Sequence, residues 1–325
     1  MTEATMPTPE TGSSNQGRAM GLFDALVTSN RQIGYHFHKL KLTFSGDGAS
    51  AFAACKPGQF AELDVSEIPL PPAEKIPDDL RDVSGRKILL RRPFSFTDVT
   101  VHGDKTIVDI LYCVLGPATL RLTTLSPGAS INVMGPLGNG FSVPEGRKYA
   151  FLIAGGMGTP PLQHLAKILA TDYPDMEVTV FAGARTKMDL PVDGRLDEVS
   201  IELGFSLPEF ARHGIESVLA TDDGSIGYKG LVSDCFVEWL ERSESDPNDM
   251  VIYACGPEKM LARVAQIVQE RNIACQVSME RRMACGINLC QGCAVECRVP
   301  NSSETIYKMC CQDGPVFDSR EVVFM

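Results

Sequence analysis

No uncharged apolar run in this 325-residue chain approaches the roughly 18 residues that a membrane-crossing helix needs. The opening MTEATMPTPETGSSNQGRAMG also lacks the apolar core of a secretory signal. Positive charge is short: thirty Lys and Arg stand against forty-one Asp and Glu, a net charge of −11. Such a chain has no global surface for neutralising phosphate backbones, so neither nucleic acid nor a membrane is an expected partner. Cysteines are too few for a disulfide scaffold of this length, and the expected compartment is the reducing cytoplasm. Histidine is scarce too. His36, His38, His102, His164 and His213 are scattered, and no Ser-His-Asp arrangement emerges from them.

What is present is ordinary globular composition, 44% hydrophobic and 22% charged, long enough for two domains or two plus an appendage. Residues 1–30 are rich in Thr, Ser, Pro, Gly and Glu without periodicity and read as a mobile tail. Residues 31–146 hold alternating runs (YHFHKLKLTF, QFAELDV, KTIVDILYCVL, ASINVMG) separated by Gly/Pro turns, the pattern of a small antiparallel β-barrel with no convincing helix. Inside it, a Pro-rich charged insertion near residues 66–88 reads as a long surface loop. From 147 to 279 the period changes. Apolar runs such as YAFLIAGG and MEVTVFAGAR alternate with amphipathic helical segments, as in the parallel sheet of an α/β domain. Residues 280–325 have too little apolar periodicity for a core of their own, yet hold six of the eleven cysteines.

Those cysteines carry the strongest chemical signal. Cys285-x4-Cys290-x2-Cys293, with a further thiol from KMCCQDGPVF, is the spacing of a plant-type [2Fe–2S] loop, in which each iron takes two soft sulfur ligands. A four-cysteine zinc site is the competing reading, but zinc loops usually repeat a C-x2-C pair. Cys310 and Cys311 are adjacent and point to opposite faces of an extended strand, so only one of them can be the fourth ligand. Cys297 reads as a bystander. Upstream, Gly155-Gly156-Met157-Gly158-Thr159 joins a strand to a helix, where glycines let a dinucleotide pyrophosphate approach the backbone and the helix N-terminus. Cys255-Gly256-Pro257 marks a second strand end of the same sheet, and strand carboxyl ends are where such sheets bind ligands. In the barrel, Arg91-Arg92-Pro93-Phe94-Ser95 places a cation for a flavin phosphate and a hydroxyl for its ring within a few residues.

In order, RRPFS, GPLGNGF, AGGMGTPPL, FAGAR, TDDGSIGYKG, ACGPEKML and MERRMACGINLCQGC…CQDGPVF closely resemble the electron-transfer subunits of class 1B dihydroorotate dehydrogenases, in the ferredoxin reductase superfamily. The resemblance spans about residues 33–325 and implies an FAD-binding barrel, an NAD-binding α/β domain and a C-terminal [2Fe–2S] domain. It implies flavin contacts at Arg92, Pro93, Phe94 and Ser95, and a second flavin segment at Tyr112-Cys113 and Ala118-Thr119. There Cys113 stands where the family has a basic residue, and Ala118 where it has glycine. The NAD side falls on Gly155, Gly156, Gly158 and Thr159, with Asp222, Asp223, Cys255, Gly256 and Pro257. The cluster falls on Cys285, Cys290, Cys293 and, by its C-x-D-G-P-V-F context, Cys311.

The implied function is electron transfer between an FMN-containing catalytic partner, which oxidises dihydroorotate in pyrimidine biosynthesis, and NAD+, by way of [2Fe–2S] and FAD. The implied assembly is a heterotetramer of two catalytic and two electron-transfer chains. An NADH-linked ferredoxin or sulfide oxidoreductase subunit of the same superfamily is the alternative. A colourless, zinc-stapled nucleotide-binding module is the reading from outside enzymes. Arg185 and Lys187 leave open a contact to a 2′-phosphate, although the resemblance favours NAD over NADP.

Overall fold

The computed structural model describes residues 20–35, 37–192 and 207–324. Seven strands form the first sheet: β1 (Gly21–Ile33), β2 (Phe37–Ser45), β3 (Phe60–Leu63), β4 (Arg92–Ser95), β5 (Asp98–His102), β6 (Lys105–Cys113) and β7 (Ser130–Leu137). All pairings are antiparallel, in the order β4-β3-β7-β1-β2-β6-β5. Alternation dictates the faces: in β2, Leu40, Leu42 and Phe44 are buried while the intervening Lys39 and Lys41 look outward toward Asp109. The sheet curls until its edges meet, and Thr97, just past β4, donates its N–H to the Asp109 carbonyl of β6 at 2.9 Å.

Three sequence expectations change here. The tail expected over 1–30 ends by Gly21, because 21–30 pair with β2 and β7 as part of β1. Only Ala25, Val27 and Ile33 of that strand are buried, so ladder hydrogen bonds rather than an apolar alternation hold it, and the pattern reads weakly. Residues 1–19 lie outside the described residues. The barrel also contains helices: α1 (Gly46–Ala53), α2 (Arg81–Ser84) and α3 (Pro117–Leu122). The first is built of small residues with poor helical signal, and burial anchors it: Phe52 stacks on Phe44 at 4.0 Å and meets Phe96 edge-on at 5.8 Å. The Pro-rich insertion is folded into two 3₁₀ turns and α2, pinned by buried Leu80 and Ile88 and by Arg121, which donates to the Ser84 carbonyl at 3.1 Å.

The second sheet is mostly parallel. Its strands are β8 (Tyr149–Gly155), β9 (Glu177–Ala184), β10 (Glu216–Thr221), β11 (Tyr228–Lys229), β12 (Met250–Cys255) and β13 (Ala274–Ser278). Helices α4 (Thr159–Asp172), α5 (Pro208–Ala211), α6 (Val232–Arg242) and α7 (Glu258–Glu270) cover it. Burial on both faces explains the continuous apolar run of β8. Ala150, Leu152 and Ala154 pack toward α4 and α5, whereas Phe151 and Ile153 pack toward α6 and α7.

The C-terminal segment forms a hairpin, β14 (Ala294–Arg298) and β15 (Thr305–Met309), followed by β16 (Val316–Asp318). Expected as a unit that needs a staple, it instead shares a core. Strand β16 adds antiparallel to β13 as the seventh strand of the second sheet, in the order β11-β10-β9-β8-β12-β13-β16. Cys293, Val295, Cys297 and Phe317 belong to the same buried cluster as α6 and α7.

Barrel and α/β domain are joined by an ion pair away from the thiol loop. Lys167 of α4 donates to Asp98 Oδ1 at 2.5 Å and to the Val99 carbonyl at 2.9 Å. Burial pushes the Asp98 carboxyl up, but the Lys167 ammonium and, beyond it, Arg212 outweigh burial and hold it below the usual carboxylate range. A depressed folded-state pKa contributes stability that is present above the unfolded value of about 3.9 and is lost as pH falls through the folded value. Lys167→Met should therefore cost about 1–3 kcal/mol at neutral pH. Urea unfolding of both proteins should show that difference shrinking below about pH 4; a difference independent of pH would contradict the assignment.

Candidate cofactor cleft and thiol loop

The curled sheet, the carboxyl ends of the parallel strands and the C-terminal segment converge on one cleft with two cavities. The first, about 270 Å³, is walled by Pro93, Phe94 and Ser95 of β4, by Tyr112, Cys113 and Thr119, and across the cleft by Cys255, Met279, Arg281 and Met283. The second, about 530 Å³, is walled by Gly155, Gly156, Asp222 and Pro257, with Lys259 and Arg263 of α7. Cys113, Leu115 and Met157 line both, so the two cavities share a wall.

On the barrel side the expected residues separate into groups. Pro93, Phe94 and Ser95 face the cavity; Arg92 does not line it, and its Nη1 donates to the Leu90 carbonyl at 2.8 Å and the Arg91 carbonyl at 3.0 Å. Tyr112 borders the cavity with its side chain buried in the barrel core, where its hydroxyl donates to Asn30 Oδ1 at 3.1 Å and the ring stacks on His38. The Thr119 hydroxyl lines the cavity but is occupied in capping α3, accepting from the N–H of Leu115 and Gly116. Ala118 lines neither cavity; its methyl is buried in the barrel core. Cys113 is half-buried, and burial, with Asp189 beside it, raises its thiol pKa.

On the nucleotide side Gly155 and Gly156 border the larger cavity; a Cβ on Gly155 would meet Met260 and Pro257, whereas Gly156, at φ +50°, faces open space. Gly158 serves packing instead, because a Cβ there would strike the Cys255 carbonyl oxygen; glycine lets the start of α4 press against the end of β12. Thr159 is buried and its hydroxyl donates to the Gly156 carbonyl at 2.7 Å, closing the turn rather than facing the cavity. Asp222 lines the cavity, whereas Asp223 accepts the N–H of Ser225 at 2.9 Å and braces its own turn. Cys255 faces the smaller cavity, Gly256 borders a neighbouring groove at φ +156°, and Pro257 lines the larger cavity. Arg185, the candidate contact to a 2′-phosphate, pairs with Asp189 at 3.4 Å.

In the thiol loop, the N–H of Cys290 donates to Cys285 Sγ at 3.3 Å, that of Gly292 to Cys290 Sγ at 3.4 Å, and that of Asn288 to Cys311 Sγ at 3.3 Å. Thiol contacts also pair Cys285 with Cys290 and Cys293 with Cys311. Among the described residues no three His, Cys, Asp or Glu groups already stand in coordinating geometry; the four thiols meet as two pairs, Cys285, Cys290 and Cys293 from the loop and Cys311 from the turn after β15. Burial opposes ionisation of Cys285, but hydrogen bonds from the N–H groups of Cys290, Ile287 and Leu289 overcome it and bring its pKa to about 7. Burial drives Cys311 the other way, to about 12. Cys310 turns from the loop and its thiol donates to the Met279 carbonyl at 3.3 Å, while Cys297 is fully buried in the core. Soft thiols and inward-pointing N–H groups form a donor set that fits an iron–sulfur cluster. Beneath the loop sits Glu62 of β3, 1% exposed with neither carboxylate oxygen hydrogen-bonded, and burial pushes its pKa up. A Cβ on Gly286 would lie 2.7 Å from its carboxyl carbon.

Several cleft residues escape sequence reasoning. Lys259 and Arg263 share a face of α7 at i, i+4 and bring two cations to the larger cavity, a spacing visible in KMLAR. Leu115 lies outside every motif, and Met157, Met279 and Met283, though within quoted motifs, carry no chemical signal of their own; only the packing of three chain segments gathers them.

The comparisons with known proteins agree with this layout. Residues 280–323 match the iron-sulfur cluster binding domain of dihydroorotate dehydrogenase B, and residues 152–266 match an oxidoreductase NAD-binding domain. The chain is 32% identical over 304 residues to the electron transfer subunit of dihydroorotate dehydrogenase B (NAD(+)) from Caldanaerobacter subterraneus, covering 92% of this chain and 98% of that one. It is 41% identical over 238 residues to the subunit of the same description from a Geobacillus species, covering 72% and 80%. A solved NADH-dependent reduced ferredoxin-NADP oxidoreductase shares the fold, with a TM-score of 0.68 and 24% identity over 92% of this chain and 90% of that one. Fold and cleft thus define a ferredoxin-reductase-like oxidoreductase. Within that class, the chain belongs to the family of electron transfer subunits of dihydroorotate dehydrogenase B, rather than to a ferredoxin- or sulfide-linked branch. Its cofactors are FAD, a [2Fe–2S] cluster and NAD. Among the described residues no helix is long and apolar enough to cross a membrane.

The contact at Gly158 yields a direct test. Gly158→Ala should destabilise the protein by about 1–3 kcal/mol through overpacking. Gly85→Ala, with nothing within 4 Å of the added methyl, should stay within about 0.5 kcal/mol of wild type. Equal melting temperatures for the two variants would refute the close approach.

Proposed function

We propose that this chain carries electrons between an FMN-containing catalytic partner, which oxidises dihydroorotate, and NAD+, as half of a cytoplasmic heterotetramer with two chains of each kind. One observation carries the reading: a segment leading into a four-thiol loop walls the same cleft as a strand-to-helix glycine turn and the RPFS strand of the barrel. When bound, the flavin exchanges a hydride with nicotinamide and single electrons with the cluster, which lets a two-electron carrier and a one-electron carrier work together.

The chain's own residues have distinct parts. Pro93, Phe94 and Ser95 seat the flavin ring, with the Ser95 hydroxyl as a hydrogen-bonding group; Tyr112 and Cys113 form the wall behind it. Arg92 and Thr119 are the phosphate-side candidates, both engaged locally at present. Gly155 and Gly156 let the nucleotide backbone approach, Lys259 and Arg263 balance its phosphates, and Asp222 accepts from a ribose hydroxyl. Gly158, Thr159, Asp223 and Gly256 shape these turns, and Cys255 and Pro257 close the cleft where the two cavities adjoin. Cys285, Cys290, Cys293 and Cys311 hold the two irons, two sulfurs to each. Ile287 and Leu289, exposed within the loop between Cys285 and Cys290, mark the face offered to the partner. The base that takes a proton from dihydroorotate is assigned to the partner.

The test is the visible spectrum of the purified chain under nitrogen, before and after NADH, with iron and flavin assays. Flavin bands and a cluster shoulder that both bleach are expected, together with NADH oxidation by an artificial acceptor and no orotate formed from dihydroorotate. A colourless zinc protein, or orotate formation by the chain alone, would overturn the reading. Cys311→Ser should lose most of its iron, whereas Cys310→Ser and Cys297→Ser should retain it; the reverse ranking would reassign the fourth ligand.

A further inference from the structure

Two motifs separate in sequence, CGPEKM at the start of α7 and MERRMACG ahead of the thiol loop, are joined by a single side chain. The Arg281 guanidinium forms a two-point bridge with Glu258, Nη1 to Oε2 at 3.0 Å and Nη2 to Oε1 at 3.1 Å. Its Nε donates to the Ala294 carbonyl at 3.3 Å, one residue beyond Cys293. Nη1 also donates to the Glu280 carbonyl at 2.9 Å, which fixes the side chain to its own backbone. The two side chains are only 16% and 27% exposed, and Arg281 walls the smaller cavity of the cleft. A planar fork with paired donors holds geometry in a way a single ammonium cannot.

We propose that Arg281, held by Glu258, is a positioning residue for electron transfer within the chain: it fixes the thiol loop in register with the flavin cavity and the first turn of α7. The inference rests on the cofactor assignment above. From its place on the flavin-side wall it contacts the two other parts that must keep a constant spacing, the helix following Cys255-Gly256-Pro257 and the strand that leaves Cys293. The tip of the loop, at Ile287, Leu289 and Cys290, is exposed, so its placement depends on what holds its two ends. Sites that work by geometry are sensitive to such supports: a displacement of about 1 Å can cost about a hundredfold in rate.

The bridge should matter to one step and not to the other. Hydride delivery from NADH depends on the larger cavity, to which Glu258 does not contribute; passage of an electron onward depends on where the loop stands. One NADH supplies two electrons and one proton as hydride, and of these the cluster takes one electron at a time. The experiment is rapid mixing of the holoprotein with NADH under nitrogen, following flavin bleaching optically and cluster reduction by freeze-quench electron paramagnetic resonance, with iron and flavin assayed on each sample. In Glu258→Gln, flavin bleaching should stay close to the wild-type rate while cluster reduction slows by about tenfold or more. Glu258→Asp, which keeps the charge, should recover most of the loss. Unchanged cluster reduction in Glu258→Gln, or an equal slowing of both steps, would overturn the proposal. Should Glu258→Gln fail to retain iron, Arg281→Lys is read by the ratio of its cluster reduction to its own flavin bleaching, because Arg281 itself walls the flavin cavity, and a wild-type ratio would be equally fatal. A wild-type chain without flavin or iron would instead overturn the cofactor assignment itself.

Discussion

Everything in the cleft depends on the return of the chain to the edge of the second sheet. Pairing of Val316–Asp318 with β13 brings the turn at 310–315 back beside the segment that leaves the same strand at Met279. The Met279 N–H donates to the Pro315 carbonyl at 2.8 Å, so the outgoing and returning chains are tied at the mouth of the thiol loop. Asn139, following β7 of the barrel, closes the arrangement from the other side: its N–H donates to the Gly314 carbonyl and its amide to the carbonyls of Gln312 and Asp313. Gly138 permits this approach, since a Cβ would lie 2.6 Å from the Pro315 ring. One short turn thereby joins three parts of the protein, and its hydrogen bonds set the frame within which the Arg281–Glu258 bridge holds the loop.

The cleft divides its labour by residue chemistry. The smaller cavity is mostly apolar and sulfur-bearing, and the Tyr112 and Thr119 hydroxyls and the Arg281 guanidinium on its wall are engaged within the protein. The nucleotide-side cavity has two cations on α7 and a carboxylate after β10, as a ligand with both phosphate and ribose requires. Around the sulfurs, N–H donors replace side-chain charges. Such donors stabilise thiolates without placing a bulky cation on the exposed face, and that leaves Ile287 and Leu289 free to meet an apolar surface.

Much of this is legible in the residues, for identifiable reasons. The thiol spacing and the two glycine-bearing strand ends are local devices, so short sequence windows contain them whole. Strand β8 is readable because both its faces are buried, and β2 because one is. Strand β1 is hard to read because its place between two neighbours depends on hydrogen bonds that any sequence can make. Helix α1 is missed because Phe52 holds it through contacts with Phe44 and Phe96, from strands far away in sequence. At Ala118 the motif says nothing of where the side chain goes: the local backbone sends its methyl into the barrel core. The Arg281–Glu258 bridge spans twenty-three residues and has no signature in either partner's neighbourhood.

The strand that brings Cys311 home also finishes the sheet. A parallel sheet ending at β13 would expose a row of unpaired backbone groups, the template on which other chains aggregate. Strand β16 covers that row with three residues only and is itself short. Its outer end is occupied by Asp318 and Arg320, whose side chains grip each other at 2.6 Å and keep charge at the border. The seventh strand therefore serves solubility as well as cofactor geometry, and the sheet stops where further pairing would be least favourable.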